Sequence, residues 1–422
     1  MSIPNIKFFK NGEAMIQKTI LDNGLTIITD KKDGDFVTAA YYVDVGSIDE
    51  NENTRGIAHL TEHLVFKGTA TRDKNELMRE IQDYGGEINA ATTEMYTYFY
   101  STILKEYWKT VLEIVSDIVW NNTIPEEEFE LEKSVVIEEL KMYDDDARDR
   151  VFSLMTKTLF KDCKNRWNNG GTPETVSKIT REQVIDFISK NYIPKNITVC
   201  FTGDVEHQEI VSFVKNYIDG YEFSQTSYSH RKKITQLNIE NAKEKLDGTQ
   251  STMIAVWNTI MKNVKDMFVC QFATTILGGG WGSRMMEIRE EYGYAYTVTS
   301  TFDTYGFDDV SYVGIYVGLN KENIPKTKEI ILENLKKLNT QGITQQEFMQ
   351  AKRRMMSSLK RNYITCDDRT LFMFDSLCLK FDIFEEQDYV NLIEEITFDD
   401  VNNYVKNWNI DNIAFMIMEQ SR

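Results

Sequence analysis

The chain holds only four histidines, and two of them stand four residues apart in the stretch Gly56-Ile57-Ala58-His59-Leu60-Thr61-Glu62-His63-Leu64-Val65-Phe66. In a helix that spacing puts both imidazoles on one face, one turn apart. Two neutral imidazoles so placed can grip one divalent ion, with Glu62 between them as a carboxylate beside the metal. A helix that merely covers a surface could carry the same spacing, so the flanks matter. Ile57, Leu60, Leu64 and Val65 supply an apolar stripe at helical spacing, and Gly68 falls where a helix C-terminus favours glycine. The segment reads as an amphipathic helix presenting a metal-binding pair.

A catalytic zinc needs three protein ligands and one open position. A helix expected to start after Pro125 offers Glu126, Glu127, Glu128, Glu130, Glu132, Glu138 and Glu139. Most of these read as a solvated face, and acids near a helix N-terminus are favourable in any case. Glu132 and Glu139 differ, because a spacing of about two turns puts them on one face. Val135, Val136 and Leu140 lie close to that face, which predicts partial burial. A carboxylate there needs a partner, and a metal is one. Glu138, the rival ligand, points about 100° away from Glu139.

Around these residues the chain alternates strand and helix patterns. Lys18 to Asp30 reads as two strands about an Asn23-Gly24 turn, and Val37 to Val45 as a third. A helix from Lys74 to Tyr84 is broken by Gly85-Gly86, and β-rich sequence follows from Glu87 to Tyr100. Helices over Glu106 to Trp120 and Glu126 to about Tyr143 precede a strand at Ile197 to Thr202. After a polar stretch the same kinds recur: a strand at Thr252 to Trp257, helices at Lys265 to Leu277 and Ser283 to Glu291, paired strands at Tyr294 to Phe302 and Val310 to Val317, and a closing strand at Ile413 to Met418. The economical reading is an α+β fold of two similar domains, each a mostly antiparallel sheet packed with helices. The expected division is an N-terminal metal-binding domain over 1–223, a linker over 224–250 and a C-terminal domain over 251–422.

The remaining composition narrows the function. No histidine follows Gln250, so one metal site per chain is expected; His207 and His230 lack companion ligands and read as solvent-exposed. A net charge of -18 repels nucleic acid and attracts cationic partners. The basic run Lys352-Arg353-Arg354 with Lys360-Arg361 reads as an exposed helix face. Five scattered cysteines with no Cys-x-x-Cys argue for a reducing compartment. No apolar run approaches a membrane span, and Met1 to Ile20 has no leader-like core, so a cytoplasmic location is expected. Gly278-Gly279-Gly280-Trp281-Gly282 is a flexible turn without the Lys-Ser/Thr of a phosphate loop.

His59-x-x-Glu62-His63, followed 76 residues after His63 by Glu139 in Val135-Val136-Ile137-Glu138-Glu139-Leu140, resembles the inverzincin peptidases. That family includes pitrilysin, insulin-degrading enzyme and the mitochondrial processing peptidase. Asn23-Gly24-Leu25 resembles its opening hairpin. Gly85-Gly86 with Asn89-Ala90 resembles its substrate-binding edge strand, and Arg289 with Tyr296 its Arg/Tyr pair. The resemblance implies a duplicated half-clamshell and a zinc-dependent endopeptidase acting on peptides or unfolded segments through a metal-activated water. His59, His63 and Glu139 would be the zinc ligands, Glu62 the general base, and Glu132 a carboxylate supporting them. Asn89 and Ala90 would pair with an extended substrate, and Arg289 and Tyr296 would hold its carbonyl. The length and single zinc motif resemble the short, processing-peptidase-like branch, whose subunits pair, so a homodimer or a heterodimer with a paralogue is expected. Basic peptides would suit the acidic balance. The competing reading is a non-catalytic assembly subunit, which loss of a ligand or of the base would favour; all four residues are present.

Overall fold

Asn23-Gly24 turns the chain because Gly24 takes a φ of 92°, in the left-handed region, while the Leu25 amide donates to Asn23 Oδ1 at 3.1 Å. The turn joins β1 (Ile16–Ile20) to β2 (Thr26–Asp30) as an antiparallel pair. With β3 (Phe36–Val43), β4 (Glu87–Thr92), β5 (Thr97–Leu104) and β6 (Ile197–Thr202) they build a sheet of order β1-β2-β6-β3-β5-β4. Only β2 and β6 pair in parallel. β3 and β6 lie inside the sheet and are buried almost throughout, as their continuous apolar character requires. β4 forms one edge. The computed structural model describes residues 15–163, 168–224, 231, 234–248, 250–305, 310–382 and 385–421.

Four helices bear on the site: α1 (Ile57–Leu64), α2 (Lys74–Asp83), α3 (Trp108–Trp120) and α4 (Glu126–Asp145). α2 starts on a reciprocal cap between Asp73 and Glu76 and ends before Gly85, whose φ is 69°. α3 packs on β3 and β5, and the Tyr41 hydroxyl meets Ser116 Oγ at 2.5 Å within that layer.

The second sheet repeats the first. It contains β7 (Ala242–Leu246), β8 (Ser251–Thr259), β9 (Ala295–Thr304), β10 (Ser311–Leu319) and β11 (Ala414–Gln420), in the order β7-β11-β8-β10-β9. β7 and β11 pair in parallel and the others antiparallel, which reproduces the run β2-β6-β3-β5-β4 strand for strand. The expected recurrence of an α+β unit is therefore present in the topology, although residue identity between the halves is weak.

The chain packs as two compact units, and neither is one continuous stretch. The first takes residues up to Ser134, Thr175–Ser229 and Asn362–Cys378; the second takes Val135–Glu174, His230–Arg361 and Leu379–Arg422. A division into 1–223 and 251–422 does not foresee this exchange. Its cause in the first unit is the helix Cys366–Leu379. There Arg369 donates to Asp30 Oδ2 at 2.6 Å with both side chains almost fully buried, and Thr370 meets Thr202 at 2.7 Å. Phe374 packs against Tyr42, Tyr96 and Tyr98. In the second unit, helix Ala147–Leu159 lies on β8 and β11, with Phe152 stacked on Tyr316 at 5.8 Å.

Three local expectations are corrected. The 224–250 linker ends in ordered structure, since Ala242–Leu246 is the strand β7. The helix expected over 283–291 is a 3-10 turn (Arg284–Met286) followed by one α-turn (Glu287–Glu290), stopped before Gly293, whose φ is 63°. His207 is buried rather than exposed: its ring nitrogens meet Thr19 Oγ1 at 2.7 Å and Thr29 Oγ1 at 2.8 Å, and burial lowers its pKa. His230 lies outside the described residues. All five cysteines are free, and among the described residues no helix is long and apolar enough to cross a membrane.

Candidate metal centre

α1 buries Ile57, Ala58, Leu60, Thr61 and Leu64, which leaves His59, Glu62 and His63 half-exposed on the opposite side. Its N-cap is Gly56, at a φ of 91° and with no side chain to offer. The buried carboxylate of Glu50 serves instead, accepting from the Gly56 amide at 2.8 Å and the Ala58 amide at 2.9 Å. Burial pushes the Glu50 pKa up to about 8, against the pull of those two amides. The sequence reading missed Glu50. The signal it left is faint: an acid six residues before a glycine that opens a helix.

The two imidazoles lie 4.7 Å apart between centroids. His63 Nδ1 meets Glu132 Oε1 at 2.9 Å, and Lys67 Nζ meets Glu132 Oε2 at 2.7 Å. Glu132 is 6% exposed; burial alone would raise its pKa, but the hydrogen bonds from His63 and Lys67 outweigh that and hold it lowered. A carboxylate on Nδ1 fixes the ring and directs Nε2 outward, the arrangement typical of metal-bound histidine.

Seven residues along the same continuous helix, Glu139 is half-exposed and accepts from the Tyr143 hydroxyl at 2.9 Å. His59, His63 and Glu139 each present a ligand atom, and these atoms lie within 4.8 Å of one another. Among the described residues this is the one such cluster. Two imidazoles and a carboxylate are a donor set that suits a divalent zinc. Glu138 instead is exposed and pairs with Lys141 at 2.6 Å. The helix face is less enclosed than expected, for Val135 is 46% exposed while Val136 and Leu140 are buried.

Glu62 is positioned from the sheet. Thr92, the last residue of β4, donates its hydroxyl to Glu62 Oε2 at 2.7 Å. Nothing in the sequence marks Thr92 for this contact, since a threonine in a strand is equally well explained as an ordinary strand residue. Burial raises the pKa values of Tyr192 and Tyr98, and the charge of Glu62 adds to both. Asn89 and Ala90 lie on β4 opposite Tyr100 and Phe99, with the outer edge of the strand unpaired among the described strands. The Ala90 amide is covered by its neighbour, donating to Asn89 Oδ1 at 2.9 Å.

Arg289 and Tyr296 belong to the second unit, and they do meet there. The Arg289 guanidinium lies 5.7 Å from the Tyr296 ring and 5.8 Å from the Trp281 ring. Tyr296 is 77% exposed and Trp281 66%, so neither ring is a core residue. Arg354 holds the glycine-rich turn, donating to the Gly279 carbonyl at 3.0 Å and to the Trp281 carbonyl. One member of the basic run on helix Gln345–Arg361 is thus a loop anchor, not a free surface charge.

Two family models match the chain: Insulinase (Peptidase family M16) over residues 25–166, and Peptidase M16 inactive domain over residues 178–355. A protein of Mycobacterium leprae named as an uncharacterized zinc protease is 31% identical over 344 residues, spanning 80% of this chain and 77% of the relative. A protein of Rickettsia felis with the same name is 28% identical over 391 residues, spanning 91% of this chain and 92% of the relative. Among solved structures, a protease from Helicobacter pylori superposes with a TM-score of 0.87 at 20% identity, covering 96% of this chain and 99% of that one. An M16-like peptidase from Alicyclobacillus acidocaldarius gives 0.85 at 17% identity, covering 98% and 100%. At these identities the structural likeness speaks for the fold.

Proposed function

The chain belongs to the insulinase family of peptidases, M16, and on that premise we propose that it is a zinc-dependent endopeptidase cutting peptides or unfolded segments. The observation that carries the reading is the convergence of His59, His63 and Glu139 within 4.8 Å, on the side of α1 that also bears Glu62. His59, His63 and Glu139 would hold the zinc, which when bound supplies a Lewis acid that lowers the pKa of water toward neutrality.

The other roles fall to the chain's own groups. Glu132 keeps the His63 proton on Nδ1, so that Nε2 stays a neutral donor. Thr92 holds Glu62 by Oε2, and this carboxylate is the group to take a proton from the attacking water. The same carboxyl then returns that proton to the departing amine. The edge of β4 at Asn89 and Ala90 pairs with the extended substrate, once the Asn89 side chain releases the Ala90 amide. Arg289, stacked on Tyr296, is the group for a substrate carbonyl and its developing charge. No histidine follows Gln250, so each chain brings one zinc motif, and a second copy or a paralogue is the proposed partner.

Glu62→Gln tests the reading. The ligands are untouched, so zinc content should stay at one per chain while kcat falls by about 10²–10⁴-fold, the typical worth of a general base. Wild-type turnover in the zinc-loaded variant removes Glu62 from the mechanism.

A further inference from the structure

The turn after helix Val264–Gly278 is Gly279-Gly280-Trp281-Gly282, and it carries one side chain. Its glycines are required by the backbone: Gly280 and Gly282 take φ values of 99° and 78°, and a Cβ on Gly279 would lie 2.5 Å from the Thr275 carbonyl oxygen. Gly278 approaches β9 so closely that a Cβ there would stand 2.6 Å from the Ser300 amide nitrogen. The turn is then pinned from outside. Arg354 donates to the carbonyls of Gly279 and Trp281, and the Ser283 hydroxyl donates to the Gly280 carbonyl at 2.6 Å. This construction fixes where Trp281 stands, yet leaves its residue 66% exposed, so the core gains little from the ring.

What the ring meets is Arg289. The guanidinium lies over Trp281 at 5.8 Å and over Tyr296 at 5.7 Å. Its Nε is paired with Glu290 Oε1 at 3.3 Å, while among the described residues its two terminal nitrogens have no hydrogen-bond or ion-pair partner. Those nitrogens are the donors a substrate carbonyl would use. The neighbouring carboxylate competes for them, because a guanidinium can turn its fork onto Glu290 and make two parallel bonds. A flat ring over the guanidinium attracts the cation and holds its plane against that turn.

We propose that Trp281 is a positioning residue for Arg289, keeping the terminal nitrogens off Glu290 and presented to the substrate carbonyl. The proposal rests on the peptidase reading above, in which Arg289 receives that carbonyl.

The test compares peptide cleavage by the zinc-loaded full chain and four variants: Trp281→Ala, Trp281→Phe, Glu290→Gln and Trp281→Ala/Glu290→Gln. In Trp281→Ala, kcat should fall about two- to fivefold, the worth of an exposed cation–π contact. KM should change little, because the contact serves a group that acts on developing charge. Zinc content should stay at one per chain. Trp281→Phe should keep most of the turnover, since it keeps a ring. Glu290→Gln removes the competitor: alone it should alter kcat little, and added to Trp281→Ala it should restore most of the loss. A ring that only supported the local fold would not be rescued by neutralising Glu290. Arg354→Gln, which frees the turn, should reproduce the kcat loss and its rescue. Parent turnover in Trp281→Ala overturns the role, as does a loss that Glu290→Gln does not relieve, or an equal loss in Trp281→Phe. Each of these leaves the peptidase reading standing. If the zinc-loaded parent cuts no peptide, the peptidase reading fails and the positioning role falls with it.

Discussion

Glu132 touches no substrate in this scheme, yet its replacement should weaken the metal centre in a graded way. In Glu132→Gln the amide keeps the shape but can present only one oxygen. If that oxygen faces His63 Nδ1, the amide NH2 faces Lys67, where two donors repel and the lysine must swing outward; its side chain is 24% exposed, so it has a route to water. His63 then keeps a neutral acceptor in place of a charged one, and charge-assisted bonds are about twice as strong as neutral ones. Zinc affinity should therefore fall about tenfold in Glu132→Gln and about a hundredfold in Glu132→Ala, which also frees the ring; losses of this order follow removal of groups behind metal ligands. Lys67→Met is the control, because it keeps the carboxylate on His63 and should bind zinc nearly as well as the parent. Competition against a chelator of known affinity reads all three at pH 7.5. The metal-free proteins should also differ with pH. The Glu132 pKa is lowered in the fold from its ordinary 4.5, so the unfolded chain binds the proton more readily. The stability that this carboxylate contributes is present above about 4.5 and is lost as pH falls through the lowered folded value. Acid unfolding of Glu132→Gln should be correspondingly shallower in that window. Equal zinc affinity in Glu132→Gln, Glu132→Ala and the parent would refute the orienting role, and an equal loss in Lys67→Met would move the effect from the ring to the local charge.

The choice of third ligand predicts that Glu139→Gln sharply lowers zinc affinity while Glu138→Gln, on the exposed side with Lys141, leaves it nearly unchanged; the opposite ranking in zinc titrations would shift the ligand by one residue. The paired-subunit proposal predicts that an inactive Glu62→Gln chain mixed with an inactive Arg289→Ala/Tyr296→Phe chain regains activity. Random pairing into symmetric dimers should give about a quarter of the parent value. A fully active monomer in sedimentation, or no rescue in verified mixed dimers, defeats it.

What could be read from the sequence follows how far each residue's reason lies from it along the chain. His59 and His63 are legible because one helical turn relates them, and scarce histidine makes the pair conspicuous. Glu132 and Glu139 share a helix face by the same arithmetic, although the preference for Glu139 over Glu138 leaned on resemblance. Thr92 was invisible because its partner Glu62 is 30 residues away, and a strand threonine needs no other excuse. His207 was misread for the same reason: an imidazole between two threonines of β1 and β2 carries no local signature. The exchange of segments between the units is the deepest such case. Helix Cys366–Leu379 has an apolar side that would suit either sheet, and nothing in its own sequence says which. Arg369 decides, because a guanidinium buried among side chains is tolerable only against a matching charge. Asp30, 339 residues earlier and 2% exposed, supplies that charge in the first unit. The same helix then brings Asp367 into the lining of a cavity that Glu87 also lines at the head of β4, so that arrangement, like the segment exchange, follows from where Arg369 finds its partner.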